Sequence, residues 1–273
     1  MAIALQRFCL NRKIAPSLSI EAFFRLVNSL GLNKVELRND LPAGKVTDDL
    51  SHQQVRELAD RYHIEILTIN AVYPFNRRTE QVRGLAESLL QEARAIGAKS
   101  LVLCPLNDGS EVPASETLSA LRDLSPLFSF YGVRGLVEPL GFPQSSLRSA
   151  AQAQTLIRDA KVPFKLLIDT FHHHLYPQAD AEFSQVDIAD IGLVHLSGVE
   201  DARPRENLTD DERIMLTEKD RLHTCEQIKH LEARGYQGVY AFEPFAPELA
   251  SWSEEDIRRE TERSIALIQR HCA

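Results

Sequence analysis

A closed (β/α)8 barrel, one domain over residues 1–273, is the fold this chain predicts, and three observations predict it. Apolar strand-like runs alternate with amphipathic helical stretches about eight times, at roughly 25–40 residue spacing, which implies a parallel sheet. Gly31, Gly97, Gly132 and Gly235 each stand just before a strand, where a helix-terminating residue takes positive φ. No linker-like or low-complexity break divides the chain. A doubly wound open sheet is the alternative, weakened by the lack of a GxGxxG fingerprint after the first strand.

Taken in order, the strands are expected near Arg7–Leu10, Lys34–Arg38, Ile64–Ala71, Lys99–Pro105, Arg134–Leu140, Phe164–Thr170, Ile191–Ser197 and Gly238–Pro244. Each is a short run bounded by turn residues, and the near-continuous apolar ones read as strands covered on both faces. Helical periodicity marks Ile20–Leu30, Gln53–Tyr62, Thr79–Ile96, Glu116–Phe130, Ala150–Ala160 and Cys225–Arg234. The last helix announces its start with Ser253 as N-cap and an acidic first turn, Glu254, Glu255 and Asp256.

Composition excludes several function classes. The formal net charge is −8 and no dense Lys/Arg run occurs, which disfavours a nucleic-acid partner. No apolar stretch is long enough for a transmembrane helix, and the opening MAIALQRFCLNRK lacks the pattern of a signal peptide. A cytoplasmic protein is the resulting expectation. Cys9, Cys104, Cys225 and Cys272 are scattered without a CxxC pair and read as free thiols. GxSxG, Walker and HExxH motifs are absent, which leaves metal-plus-carboxylate chemistry.

Four strands share one position. Aligned by their apolar cores, GLVE ends at Glu138, LLID at Asp169, GLVH at His195 and YAFE at Glu243. Asp and Glu number 39 and His 9 of 273 residues, so filling all four positions by chance is on the order of one in a thousand. In a barrel these neighbouring strands converge at one mouth. Three converging carboxylates repel unless a cation sits among them. Three oxygen donors and one imidazole suit one divalent ion: Mn2+, Mg2+ or Co2+, with Zn2+ also compatible.

Other residues are candidates with a structural reading beside the functional one. His172 is a candidate substrate ligand, acid–base group or second-metal ligand; His173 reads as a surface-loop histidine, and His174 is open. Asn70 is a hydrogen-bond partner for a polyol or a strand cap. Glu36 and Arg38 share one strand face and are expected to pair, at the pocket rim or structurally. Arg213 lies in the long polar stretch Asp201–Asp220, which has the length of a partial lid, and would grip substrate oxygens. Phe142, Phe171 and Phe245 follow proposed ligands and either wall the pocket or pack the core.

The stretches EPLGFPQSSL (138–147), LLIDTFHHHL (166–175), LVHLSGVED (193–201), LTDDER (208–213) and GVYAFEPF (238–245) resemble the xylose-isomerase-like sugar isomerase/epimerase superfamily, over essentially the whole chain. The FHHHL and EPLGFPQ segments are similar to its inosose isomerase branch, which belongs to inositol catabolism. The resemblance implies a TIM barrel with one divalent metal on Glu138, Asp169, His195 and Glu243. It implies proton transfer by Glu138 and Glu243, and substrate contacts from His172 and Arg213. The reaction implied is conversion of 2-keto-myo-inositol to 1-keto-D-chiro-inositol through a cis-enediolate. Ketohexose 3-epimerisation and hydroxypyruvate isomerisation are the alternatives. Abasic-site endonuclease chemistry is remote, because it calls for extra histidines at strand ends that here carry Asn70 and Pro105. The partner is thus a small ketose or inosose, with homo-oligomerisation open. One departure stands out: a glycine-rich turn usual after the loop arginine is replaced by IMLTEKDRLH, which makes Arg221 a rival to Arg213.

Overall fold

The computed structural model describes residues 2–272. Eight parallel strands close on themselves in chain order: β1 (Phe8–Asn11), β2 (Lys34–Arg38), β3 (Glu65–Val72), β4 (Ser100–Leu103), β5 (Arg134–Val137), β6 (Lys165–Asp169), β7 (Ile191–Leu196) and β8 (Tyr240–Phe242). The first five strands are each followed by one helix: α1 (Ile20–Ser29), α2 (His52–Arg61), α3 (Glu80–Ile96), α4 (Ala114–Tyr131) and α5 (Ala150–Ala160). Two short helices, α6 (Thr170–Leu175) and α7 (Ala179–Phe183), follow β6; α8 (Thr224–Ala233) follows β7, and α9 (Glu254–His271) follows β8. The barrel, not the open sheet, is therefore the architecture.

Local chemistry sets the boundaries. Gly31, Gly97, Gly132 and Gly235 take φ of 74°, 82°, 68° and 88°, as helix-terminating glycines must. Ser253 accepts from the Asp256 amide while Asp256 accepts from Ser253, a reciprocal cap on α9. These bonds, Ser253 first, pull the Asp256 carboxyl down to about 2. Its folded pKa lies below the ordinary value, so the cap's contribution is present above the normal carboxylate range and is lost as pH falls toward about 2. An NMR titration of the Asp256 carboxyl is expected to show this low midpoint, and an ordinary midpoint would contradict the cap.

Packing forms three apolar groups. The largest fills the space between barrel and helices, with Phe8, Val35, Ile69, Leu101, Val194 and Phe242 among its buried members. A second lies inside the barrel, formed by Cys9, Val102, Leu136, Leu167, Leu193 and Ala241. A third, including Leu140, Phe142, Phe171, Leu175, Val199 and Leu222, covers the C-terminal end of β5–β7. Because strand side chains alternate, the residues two positions beyond the inner group also point inward. Those positions are Asn11, Cys104, Glu138, Asp169, His195 and Glu243. The barrel thus has an apolar floor and, one layer above it, a polar ceiling at the C-terminal mouth.

Two expectations are corrected here. Cys225 and Cys272 are not free thiols: they form a disulfide that joins the start of α8 to the residue after α9. Their 47-residue separation hides a juxtaposition that only helix packing creates. The histidine run is also no loop, since Asp169 caps α6 directly and all three histidines lie on that helix. Among the described residues, no helix is long and apolar enough to cross a membrane.

Candidate metal and active centre

Strand register builds the centre. Asp169 pairs with His195 across β6 and β7, and His195 pairs with Ala241 of β8, two residues before Glu243. Glu138 and Glu243 stand immediately after β5 and β8, and all four side chains are buried. One ligand atom from each of Glu138, Asp169, His195 and Glu243 lies within 4.8 Å of all the others. Asp169 divides its oxygens: Oδ1 accepts from the Phe171 amide at 2.7 Å to start α6, and Oδ2 faces the cluster.

The imidazole of His195 spans the barrel. Its Nε2 lies 2.9 Å from Glu36 Oε2, and its Nδ1 lies 3.0 Å from Glu243 Oε2, 3.5 Å from Glu138 Oε1 and 3.9 Å from Asp169 Oδ2. Nδ1 is buried yet has no hydrogen-bond partner of good geometry. A buried, unsatisfied ring nitrogen among three carboxylate oxygens is a donor set that could hold a divalent metal.

Two arginines brace the carboxylates. Arg38 donates through Nη1 to Glu243 Oε1 at 2.5 Å, and its other nitrogens bind Asp40. The Glu36–Arg38 pair expected from their shared strand face does not form. Glu36 turns instead to His195, Thr68, Asn70 and Asn11. Arg213, 1% exposed, donates through Nη2 to Asp169 Oδ2 at 2.5 Å and to Glu243 Oε2 at 2.9 Å. The guanidinium also lies 4.4 Å from the Phe245 ring centre and 4.9 Å from that of Phe171, an arrangement suited to cation–π attraction.

Burial and neighbours set the charges. Burial pushes the Asp169 carboxyl up to about 7, with the Arg213 guanidinium pulling the other way. Burial also opposes ionisation of Glu243, but His195, Arg38 and Arg213 outweigh it and hold its pKa well below the carboxylate range. Burial lowers His172 to about 3, with Arg213 adding to the effect, so its imidazole is neutral. Its Nδ1 is buried without a partner, and the ring packs edge-on against Phe142 and Phe171.

The remaining candidates separate clearly. Asn70 lies within β3 rather than at its end, and its amide bonds Glu36 Oε1 and Thr68 Oγ1. His173 is not a surface-loop residue: it bonds Asp180 at 3.1 Å and packs on Phe183. His174 is half-buried with its ring 6.2 Å from that of His223. Arg221 is exposed, so of the two rival loop arginines Arg213 is the one at the cluster. Asn11 carried no signal in the sequence, yet it donates to both Glu36 and Glu243. Cys104 was read only as a thiol, and its Sγ lies 3.3 Å from Glu138 Oε2.

The segment carrying Arg213 is fastened down. Gly198 and Ile214 exchange backbone bonds of 2.8 and 2.9 Å, and the Arg213 carbonyl accepts from the Phe245 and Ala246 amides, both at 2.8 Å. Across β5 and β6, Gly141 presses against the His172 carbonyl, and its own carbonyl accepts from Arg148.

A model of the xylose isomerase-like TIM barrel family matches residues 24–270. The chain belongs to that family. An inosose isomerase of Halalkalibacterium halodurans is 24% identical over 251 residues, covering 88% of both chains. Among solved structures, a xylose isomerase domain-containing protein of Salmonella typhimurium LT2 is 61% identical, with a TM-score of 0.97 over 98% of this chain and 99% of the other. A protein named IolI, solved with a bound zinc atom, is 22% identical with a TM-score of 0.87 over 97% and 99% of the two chains.

Proposed function

We propose that this chain is a divalent-metal-dependent isomerase of a polyhydroxy ketone, converting 2-keto-myo-inositol to 1-keto-D-chiro-inositol. An isomerase or epimerase activity is supported by relatives named inosose isomerase, with 88% of the chain aligned in the first of them. The observation that carries the chemistry is the convergence of Glu138, Asp169, His195 and Glu243 within 4.8 Å. These four residues would hold a divalent ion, which when bound would supply Lewis-acid polarisation of the substrate carbonyl. The zinc atom in the IolI structure supports a metal here as well.

The chain's own groups account for the rest. Glu243 is held ionised by the guanidinium groups of Arg38 and Arg213, as a base must be, and it accepts the proton from the carbon beside the carbonyl. The electron pair released makes the cis-enediolate. The hydroxyl proton of the attacked carbon passes to the former carbonyl oxygen. The proton taken by Glu243 is returned to the former carbonyl carbon, either by Glu243 itself or, after relay through the two substrate oxygens, by Glu138 from the strand end across the cluster. His172, neutral and buried beside the site, offers a ring nitrogen to a substrate hydroxyl. Asp169 is engaged by the α6 amide and Arg213, so it serves as ligand rather than base. Phe142, Phe171 and Phe245 wall the site with apolar surface. Arg213 braces two ligands, so its part is to orient Asp169 and Glu243 more than to reach outward for substrate.

Chelator-treated protein is expected to lose turnover of 2-keto-myo-inositol, and Mn2+ or Co2+ to restore it. Proton NMR in D2O would follow both the product and incorporation of solvent deuterium. Full activity in protein shown by elemental analysis to be metal-free would refute the proposal. Faster turnover of a ketohexose or hydroxypyruvate in the same assay would reassign the substrate and leave the chemistry standing.

A further inference from the structure

Glu36 is fully buried on β2, and the proton-transfer scheme does not use it. Four groups surround its carboxylate. Oε1 accepts from Thr68 Oγ1 at 2.6 Å and from Asn70 Nδ2 at 3.1 Å, and Oε2 accepts from Asn11 Nδ2 at 3.1 Å. His195 Nε2 completes the set, 2.9 Å from Oε2 and 3.1 Å from Oε1. A carboxylate has about four lone-pair sites, and donors from β1 and β3 occupy three of them here. Thr68, Asn70 and Asn11 thus donate to three of these sites, as they do to an ionised carboxylate, and His195 Nε2 faces the fourth.

We propose that Glu36 is a positioning residue that fixes the ring orientation and tautomer of His195, so that the Nδ1 lone pair faces Glu138, Asp169 and Glu243. The proposal rests on the metal-site reading above and concerns only how the imidazole is presented. An acceptor-only partner at Nε2 requires a proton there, and a neutral imidazole has one N–H. Nδ1 is then the free donor, and it is the buried nitrogen without a hydrogen-bond partner. Asn70 thereby acquires a different assignment from a substrate contact: with Thr68 and Asn11 it keeps Glu36 charged and aimed. A carboxylate 159 residues away in sequence thus determines what His195 can bind.

The test uses the full-length protein labelled with 15N-histidine and loaded with Zn2+, a diamagnetic ion. The expected spectrum assigns His195 a proton on Nε2 and a metal-shifted Nδ1. Zn2+ on Nε2 would overturn the proposal even with the metal site intact. In Glu36→Gln the side-chain amide can donate to Nε2 and so release the tautomer. Zn2+ affinity is expected to fall about 10–100-fold, the range seen when outer-shell partners of metal-binding histidines are replaced. A Glu36→Gln protein with parental Zn2+ affinity and parental His195 shifts would also overturn it. Failure of the parent to bind Zn2+, Mn2+ or Co2+ would remove both this proposal and the metal-site reading. The spectrum of the parent decides the matter even if the variant does not fold.

Discussion

Glu243→Gln is expected to leave the barrel folded and to reduce turnover and solvent exchange by about a thousandfold, the middle of the range for removal of a general base. Glu243 accepts from Asn11, Arg38 and Arg213, and its backbone amide continues the ladder to Leu196. Glutamine keeps the shape and one carbonyl oxygen, so it can still ligate a metal, but it cannot accept a carbon-bound proton. Its NH2 group must face a guanidinium, a donor-to-donor conflict costing about 1–3 kcal/mol. The variant should therefore melt earlier yet retain metal by elemental analysis. Retained exchange of substrate deuterium would remove Glu243 from proton transfer.

Gly141→Ala should be the most damaging small substitution in the site's surroundings. A Cβ there would lie 1.9 Å from the His172 carbonyl oxygen and 2.7 Å from its carbon. Both atoms belong to the α6 backbone, which cannot rotate away as a side chain would. The glycine's φ is ordinary, so the penalty is steric rather than conformational. A loss of about 3 kcal/mol is expected, the upper part of the overpacking range, because relief requires moving a helix. Urea denaturation would measure it, and an unchanged midpoint would show that the β5 and β6 loops are not packed this closely. Substrate affinity should fall as well, since His172 rides on the displaced backbone.

How much of this was legible in the sequence depended on whether the governing interaction is local. Strand positions were visible because apolar runs and turn glycines are local signals. The convergence of Glu138, Asp169, His195 and Glu243 was legible because alternation along each strand repeats in neighbours of similar register. Helix α6 was missed because three consecutive histidines carry no helical period, and its cap, Asp169, reads first as the end of a strand. Glu36 was seen beside Arg38, but proximity along one strand does not reveal that each reaches across the barrel to a different partner. The disulfide and the burial of Arg213 arise from packing between distant segments, where composition is silent. The polar stretch Asp201–Asp220 illustrates the limit: its length suggests a partial lid, while Leu208 within it and Arg213 itself are buried.

That stretch also decides how traffic through the mouth can run. Lifting it would break the paired bonds between Gly198 and Ile214 and the two that end on the Arg213 carbonyl. At about 1 kcal/mol net for each hydrogen bond, these four alone come to about 4 kcal/mol. The raised form would then hold on the order of one molecule in a thousand, and a substrate that needed it would bind about a thousandfold more weakly. Arg213 would leave two buried carboxylates behind, which makes the raised form rarer still. The segment is therefore a fixed part of the site's surroundings and not a moving lid.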